Sequence, residues 1–239
     1  MSGPTLDPFH DPALVNQDEG VLTVWSDIGC PWATLALHTL HHRARERDVD
    51  LVVDHRAFPL ELFNRRPTPK PVIDVEITAI AGLVPELGWR MWSRPDAEYA
   101  GTMLPALAAV QAAKQQGVGG LRASDELDTA LRRAFYEDGR CISLHTEVLE
   151  VAEQCPTVFV PALDKALQRG EGIADVFAQW HTAGELPVQG SPHLFLGDRY
   201  AEHNPGATYH WTAPPGTGFP RFDQYDEKWA DAVLDLVAS

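Results

Sequence analysis

The hydrophobic pattern at the start of the chain predicts a strand, a helix and a second strand. Residues 21–26, VLTVWS, are rich in β-formers and mostly apolar, which favours a strand buried on both faces. From about residue 32 to 47 the apolar positions follow helical spacing, and residues 51–58, LVVDHRAF, read as a strand that stops at Pro59. The order predicts a parallel βαβ unit. The helical face consists of Trp32, Leu35, Ala36, Leu40 and Ala44.

A helical stretch follows this unit. The breaker cluster PTPKP at 67–71 ends the β-rich region, and residues 74–183 carry helical signals with hardly any β-rich runs. Gly117 is a candidate helix C-cap, while Ser124 and Ser143 are candidate N-caps. A further helix is expected at about 173–183. The whole stretch is predicted to be a helical insertion.

The last part of the chain returns to β structure and ends in a helix. HLFL at 193–196 reads as a strand, and YAEHNPG carries a short companion strand. Residues 203–225 are rich in Pro and Gly and are expected to loop across the surface, whereas the segment from Trp229 onward has helical spacing. The chain is therefore predicted to be α/β, with an inserted helical domain.

Composition narrows the possible partners and compartments. The 239 residues are 44% hydrophobic, and 34 acidic residues against 19 Lys and Arg give a formal charge of -15, which disfavours nucleic acid as a partner. Residues 1–20 lack a basic start and an apolar run, and no later window is apolar enough to span a membrane. Three cysteines are too few for a disulfide framework. A cytoplasmic protein is expected.

Cys30 is the strongest candidate for chemistry. It precedes Pro31 where the first helix begins, and Pro suits the first helical position. A thiol there faces the positive end of the helix dipole, which predicts a pKa lowered from about 8.5 into the range of roughly 3.5–7.5. The alternative is a small, buried core residue.

The loops around Cys30-Pro31-Trp32 and Gly190-Ser191-Pro192 carry a family resemblance. The first resembles the active-site turn of thioredoxin-fold proteins, specifically of the DsbA-like family with an inserted helical domain. The second, just before HLFL, resembles the family's cis-proline loop. HNPG at 203–206 and the closing helix are similar to the cytosolic FrnE-like branch. The resemblance implies that Pro192 lies beside the reactive sulfur and that the backbone of Ser191 pairs with a bound substrate chain.

The resemblance also implies a division of the chain into domains. Residues 21–62 and 184–239 would form a discontinuous thioredoxin-like domain, and residues 63–183 the inserted helical domain. Residues 1–20 would be an N-terminal extension.

Ala33 replaces the second cysteine of the family's turn, so the motif is CPWA instead of CPWC. A lone thiolate forms a mixed disulfide that another thiol must cleave. The expected activity is therefore a monothiol thiol–disulfide oxidoreductase or isomerase, acting on a disulfide-containing protein or small molecule. No tightly bound cofactor is expected, but glutathione or mycothiol is a possible co-substrate. Cys141 or Cys155 could resolve the adduct instead, although inert packing is favoured for both.

Two other functions remain open. The chain also resembles kappa-class glutathione transferases and hydroxychromene carboxylate isomerases, which share the fold and typically use a serine where Cys30 stands. It could equally be a non-catalytic module whose cleft grips a peptide. The physiological substrate and the oligomeric state are left open by the sequence.

Several other residues have a functional and a structural interpretation. Trp32 could form an aromatic wall for substrate or serve as a packing anchor, and the family turn favours the wall. Asp27 could accept a proton, but capping the turn is favoured. His193 could hydrogen-bond near the sulfur, although a histidine at a strand edge requires no such role.

Two clusters of basic residues are weaker candidates. Two of the histidines in HTLHH could share a metal, but no further ligand lies nearby in sequence, so a solvated helix face is favoured and no metal site is predicted. The basic residues of the proline-rich loop could hold the carboxylates of a small thiol, although an exposed loop is favoured. The two clusters are His38, His41 and His42, and Arg65, Arg66 and Lys70.

Overall fold

A four-stranded sheet forms the centre of the fold, with two strands from each side of the long helical stretch. The computed structural model describes residues 8–239, so residues 1–7 of the predicted N-terminal extension lie outside the described part. The strand order is β2-β1-β3-β4, with β1 parallel to β2 and antiparallel to β3, which in turn is antiparallel to β4. A separate sheet pairs β5 with β6. The strands are β1 (Val21–Ser26), β2 (Val52–Ala57), β3 (His193–Leu196), β4 (Tyr200–His203), β5 (Ala207–Trp211) and β6 (Pro220–Tyr225).

Helices flank this sheet and fill the long stretch between β2 and β3. One helix lies between β1 and β2, the next seven lie between β2 and β3, and the last closes the described chain. Together with the mixed sheet they confirm the predicted α/β class. The helices are α1 (Pro31–Glu46), α2 (Leu60–Phe63), α3 (Lys70–Leu83), α4 (Leu104–Ala113), α5 (Gly120–Tyr136), α6 (His145–Ala152), α7 (Val160–Gln168), α8 (Glu171–Glu185) and α9 (Lys228–Val237).

Strand β1 is buried along its whole length, as its apolar sequence predicts. Leu22 and Val24 share one hydrophobic cluster with apolar residues of α1 and α9, while Trp25 packs on the other side with Phe195 of β3. Each fully buried side chain of this size contributes roughly 1.5–3 kcal/mol through removal from water. The buried strand therefore fixes where its carboxyl end, and the turn after it, lie.

A buried ion pair ties the helical block to that turn. The Arg132 guanidinium on α5 pairs with Asp128 at 2.6 Å and also donates to the Asp27 carbonyl, the Thr34 hydroxyl and the Ser26 hydroxyl. Arg132 is 4% exposed. Removal of one partner of such a pair typically costs about 3–5 kcal/mol, because a buried charge is left uncompensated. The contact holds α5 beneath the end of β1.

The predicted helix caps are wrong. Helix α4 ends at Ala113 instead of Gly117, and α5 begins at Gly120, so Ser124 lies inside it and donates to the Val110 carbonyl. Ser143 likewise precedes α6 but donates to the Thr102 carbonyl, and Leu144 holds the cap position. Both hydroxyls bond to a neighbouring segment, because tertiary contacts outcompete the local cap.

The connection between α4 and α5 depends on glycine. Gly119 has φ +153° and Gly120 has φ +78°. A Cβ at Gly119 would lie 2.3 Å from the Thr157 carbonyl oxygen, so no larger residue fits this close approach.

The stretch 203–225, predicted as a surface loop, contains a β-hairpin instead. Strand β5 pairs antiparallel with β6, with Ala207 opposite Tyr225 and Trp211 opposite Pro220. The aromatic and β-branched residues of ATYHW stabilise the paired strands despite the Pro- and Gly-rich connection. Two-stranded hairpins are marginal on their own, so packing against the rest of the molecule holds this one. Among the described residues, none of the helices is both long and apolar enough to cross a membrane.

Candidate active site

Cys30 holds the N-cap position of α1, directly after the turn that ends β1. Its backbone amide donates to the Asp27 carbonyl at 3.2 Å, and its carbonyl accepts from both the amide and the hydroxyl of Thr34 at 3.1 Å. Pro31 is the first helical residue, where its missing amide hydrogen leaves no unpaired donor. The predicted strand–turn–helix placement of Cys30 is confirmed.

The loop before β3 lies against this turn because β3 pairs with β1. The Cys30 thiol donates to the Ser191 carbonyl, with a distance of 3.2 Å between sulfur and oxygen. The Ser191–Pro192 peptide bond is cis, as the family resemblance implied. Cys30 is thus brought together with the Ser191–Pro192 pair, which begins 161 residues further along the chain.

The predicted low pKa of Cys30 is wrong for this conformation. The residue is 5% exposed, and burial raises the pKa of its thiol to about 12, with a further increase from the Glu76 charge. Hydrogen bonds from the Ser191 side chain and the Ala33 amide act in the opposite direction but are weaker. A helix N-terminus stabilises a nearby anion by only about 0.3–2 kcal/mol. Loss of solvation outweighs that effect here, so the covered thiol is protonated at neutral pH.

The β5–β6 hairpin covers the turn through aromatic contacts. Tyr209 stacks on Trp32 with ring centroids 3.7 Å apart and planes 3° from parallel, and Phe222 meets the same indole edge-on at 5.3 Å. The Tyr225 hydroxyl lies 2.9 Å from the Thr39 hydroxyl of α1, which anchors the end of the hairpin. Trp32 is 5% exposed, so in this conformation it is a packing anchor for the hairpin.

Glu76 is a buried carboxylate beside Trp32 that the sequence interpretation missed. The Trp32 indole Nε1 donates to Glu76 Oε1 at 2.9 Å, and burial raises the pKa of the carboxyl to about 7. A sequence signal for it exists. Glu76 lies on the apolar face of α3 at helical spacing among Val72, Ile73, Ile77 and Ile80.

Asp27 has the contacts of a capping residue. Its Oδ1 accepts from the Gly29 amide and its Oδ2 from the Leu60 amide, both at 2.7 Å. Its own amide donates to the Ser191 hydroxyl at 2.9 Å. Burial raises the pKa of the Asp27 carboxyl to about 6, even though the two amides lower it. Asp27 therefore ties together the turn, the start of α2 and the loop before β3.

A small recess of about 20 Å³, room for about one water molecule, opens beside the turn. Glu61, which lines it, accepts at Oε1 from the Thr102 hydroxyl at 2.7 Å and the Met103 amide at 2.9 Å. Its mostly apolar lining includes two carboxylates but no Lys, Arg or His from the described part of the chain. The recess thus suits neutral or cationic groups better than carboxylates. Its lining includes Asp27, Gly29, Glu61, Tyr99, Thr102 and Met103.

The histidines of α1 lie in two different environments. His41 and His55 both contact Asp125, His41 Nε2 at 3.1 Å and His55 Nε2 at 2.7 Å, while the rings of His38 and His42 stack 6.1 Å apart. Burial opposes protonation of His41, but the charge and hydrogen bond of Asp125 outweigh it and raise the His41 pKa. Within residues 8–239, no group of three His, Cys, Asp or Glu side chains is arranged to hold a metal.

The basic residues near the proline-rich segment do not line the recess. Lys70 begins α3 and pairs with Asp74 at 2.7 Å. Arg65 and Arg66 are exposed in the loop before it. Their proposed role toward a small thiol remains a prediction.

Three further candidate residues, His193, Cys141 and Cys155, are buried or partly buried. His193 is buried, and its Nδ1 accepts from the Gln189 amide at 3.1 Å. The Cys155 thiol donates to the Val151 carbonyl at 3.6 Å, and burial raises its pKa to about 11. Cys141 packs partly buried against the helical core. All three cysteines of the described chain are free thiols, so no internal disulfide engages Cys30.

Comparison with known proteins identifies relatives of this chain. The sequence profile of the family described as "DSBA-like thioredoxin domain" matches residues 21–210, about four fifths of the chain. No curated protein sequence matches at a significant level.

Solved structures also resemble this one. The cytosolic disulfide reductase DsbM from Pseudomonas aeruginosa, solved with GSH, is 20% identical, with a TM-score of 0.58 over 77% of this chain and 89% of that chain. The probable DsbA oxidoreductase SCO1869 from Streptomyces coelicolor is 17% identical, with a TM-score of 0.62 over 92% and 90%. A 2-hydroxychromene-2-carboxylate isomerase is 15% identical, with a TM-score of 0.52 over 76% and 88%. These likenesses show a shared fold.

Proposed function

This chain belongs to the DSBA-like thioredoxin domain family, and we propose that it catalyses thiol–disulfide exchange through Cys30 alone. The Cys30 sulfur attacks one sulfur of a substrate disulfide, loses its proton and forms a mixed disulfide. The other half of the substrate leaves as a thiolate and takes up a proton. A second thiol then cleaves the mixed disulfide and restores Cys30. Over the whole cycle one disulfide bond is broken and another is formed, so no external oxidant or reductant is needed.

The position of the Cys30 sulfur supports this proposal most directly. It lies 3.2 Å from the Ser191 carbonyl, at the loop whose backbone would, by the family resemblance, pair with an extended substrate chain. A bound disulfide would there meet the attacking sulfur. We assign substrate contact to Pro31, Trp32, Ser191 and Pro192.

The thiol that resolves the adduct is proposed to come from outside the chain. Ala33 supplies no second sulfur, and Cys155 is engaged in its own hydrogen bond within the helical block. The DsbM structure was solved with GSH, which favours a low-molecular-weight thiol as co-substrate here too. Because Asp27 and Glu61 line the recess, the carboxylates of glutathione would lie outside it. We also propose a cytoplasmic location, because low-molecular-weight thiols are abundant there.

Access to Cys30 requires the hairpin to move. A disulfide cannot reach the sulfur of a residue that is only 5% exposed. Tyr209 and Phe222 hold the hairpin on Trp32 through ring contacts, without a covalent or ionic tie to that side chain. Displacement of the hairpin would hydrate the sulfur and remove the largest cause of its raised pKa.

Incubation with oxidised small thiols, followed by intact-mass and peptide mass spectrometry, tests the proposal. The adduct should be found on Cys30 in the wild type and in the matched controls Cys141→Ser and Cys155→Ser. In Cys30→Ser the adduct should be absent from residue 30, and no adduct should form on Cys141 or Cys155 in its place. A Cys30→Ser protein that forms the adduct at the wild-type rate would refute the assignment.

A glutathione transferase or isomerase activity is the second candidate. The protonated thiol of Cys30 favours it, because a neutral Cys30 could donate a hydrogen bond to a bound thiolate, as serine does in the kappa-class proteins that the turn resembles. Turnover of an electrophile with glutathione that survives Cys30→Ser and is lost in Cys30→Ala would select this function over exchange.

A further inference from the structure

A second recess opens between α1, α5 and the segment that follows α3. Its volume is about 150 Å³, the size of a cavity that holds a benzene-sized molecule. None of the described residues that line it belongs to the β5–β6 hairpin, so it stays accessible while the hairpin covers the turn. We call it the α1–α5 recess, and its lining includes Thr34, Leu37, Arg45, Leu87, Trp89 and Arg133.

The floor of the α1–α5 recess is apolar. Leu37 and Leu87 are each 4% exposed, and Trp89 is 8% exposed. Tyr136 stacks on the Trp89 indole with ring centroids 4.6 Å apart, which fixes the orientation of the indole. Burial of an apolar or planar group on this floor would remove apolar surface from water on both sides. The floor therefore suits the body of a small apolar or aromatic ligand.

The rim of the α1–α5 recess carries positive charge. Arg45 on α1 and Arg133 on α5 are both exposed. Arg133 pairs with Glu137 at 3.3 Å, and Glu137 is the one carboxylate among the described lining residues. The Arg45 side chain has no hydrogen bond and no ion pair within residues 8–239. Its guanidinium is therefore available to an anionic ligand.

The other cationic groups of the lining are engaged or neutral. Arg132 uses all five of its N–H groups in hydrogen bonds within the protein. His41 Nε2 contacts Asp125 at 3.1 Å. Burial lowers the pKa of His38, so this ring is neutral at pH 7. Among the described lining residues, Arg45 thus supplies the one positive charge without a partner.

Two lining residues connect the α1–α5 recess to the reactive turn. The Thr34 hydroxyl donates to the Cys30 carbonyl at 3.1 Å, and Arg132 donates to the Asp27 carbonyl at 3.1 Å. Cys30 itself is outside the lining. A ligand in the recess would therefore lie beside the groups that hold the turn, without contact to the sulfur.

We propose that the α1–α5 recess binds a small monocarboxylate with an apolar or aromatic body. The planar guanidinium of Arg45 matches the two carboxylate oxygens at the rim, while the body lies on Trp89. The single unpaired charge selects a monoanion, because a second negative charge would meet Glu137 without a cation of its own. Binding requires no reaction at Cys30, so this site goes beyond the proposed function.

Titration of the full chain with para-fluorobenzoate, followed by fluorine NMR, tests this site. The neutral probe para-fluorobenzamide has the same aromatic body without the charge. It should bind about 3- to 10-fold more weakly, because a hydrogen bond between charged groups is strong but loses part of its strength at an exposed rim. Arg45→Gln should weaken binding of the benzoate by the same factor and leave binding of the amide unchanged.

Arg122→Gln is the matched control for the loss of charge. Arg122 is also exposed and lies on α5, but it pairs with Asp50 at 2.7 Å and is not part of the lining. This variant should bind the benzoate like the wild type. An equal loss of affinity in Arg45→Gln and Arg122→Gln, or equal wild-type affinities for the benzoate and the amide, would overturn the proposal.

Two further variants test the location of the ligand. Thr129 lines the recess and is exposed, so Thr129→Phe should fill the recess without disturbing the core and abolish binding of both probes. Cys30→Ser should bind both probes like the wild type, whether or not Cys30 catalyses exchange. Binding that survives Thr129→Phe, or that is lost in Cys30→Ser, would overturn the proposal. So would the absence of saturable binding up to about 10 mM, the weakest affinity expected of a well-fitted ligand of this size.

Discussion

Replacement of Glu76 by Gln should stabilise the protein, and by an amount that depends on pH. Burial raises the pKa of the carboxyl from 4.5 to about 7. Between these values the folded state binds more protons than the unfolded state, so the stability of the wild type falls as the pH rises. Glutamine has no charge to desolvate at any pH, and its Oε1 can still accept from Trp32 Nε1.

The magnitude follows from the size of the pKa change. One pKa unit corresponds to about 1.4 kcal/mol, so a change from 4.5 to about 7 gives a difference of about 3 kcal/mol above pH 7. Below pH 4.5 the carboxyl is protonated in both states, so Glu76→Gln and wild type should be equally stable there. For a chain of this length, 3 kcal/mol corresponds to a rise in Tm of roughly 6–12 °C.

Urea unfolding followed by tryptophan fluorescence at pH 4.5 and pH 8 measures this difference. Asp74→Asn is the control, since Asp74 is less buried and paired with Lys70. It should not show a stabilisation that grows with pH. A Glu76→Gln protein that gains the same stability at both pH values, or none at pH 8, would show that the carboxyl is not desolvated as its burial indicates.

Three further substitutions test the site and the His41–Asp125 ion pair. Tyr209→Ala should increase the alkylation rate of Cys30 by iodoacetamide roughly 2- to 13-fold, because an aromatic stack contributes about 0.5–1.5 kcal/mol beyond the buried area; an unchanged rate would mean that the hairpin does not control access. Ala33→Cys should restore a dithiol turn, so that mild oxidation consumes the Cys30 thiol without any added small thiol, as thiol titration and peptide mapping would show; persistence of both thiols would rule out internal resolution. Asp125→Asn should destabilise the protein by about 3 kcal/mol near pH 5–6 and by less at pH 9, because the pKa of Asp125 is lowered and that of His41 is raised, so both groups are charged at pH 5–6 and His41 is neutral at high pH; equal losses at both pH values in urea unfolding would contradict the charge pairing.

The elements of the sheet could be predicted because their signals are local. The apolar run at Val21–Ser26 and the strand at His193–Leu196 both match the structure residue by residue. The helix starts could not be predicted as well. Ser124 and Ser143 have the chemistry of caps, but each hydroxyl bonds to a segment that comes near only in the folded chain. The sequence pattern identifies the hydroxyl that donates but not the carbonyl that accepts from it.

The ionisation of Cys30 could not be predicted for a similar reason. The favourable helix N-terminus is encoded within a few residues of Cys30, whereas Tyr209, which stacks on the neighbouring Trp32, lies about 180 residues further along the chain. The abundance of Pro and Gly around Tyr209 predicts a loop, although ATYHW has the alternation of a strand. Glu76, by contrast, could have been found, since a lone acid on an apolar helix face is visible in the sequence.

The covered state of Cys30 and the alanine at position 33 are consistent with one chemical requirement. A thiolate without a resolving partner reacts with any accessible disulfide, and oxidants can carry it to the irreversible sulfinic acid. A dithiol turn escapes by closing an internal disulfide, which Ala33 does not allow. With a pKa of about 12 under the hairpin, Cys30 stays protonated and unreactive at rest. Under the proposed function, reactivity then arises only where a substrate displaces Tyr209, so the hairpin takes over the protective role that a second cysteine has in a dithiol site.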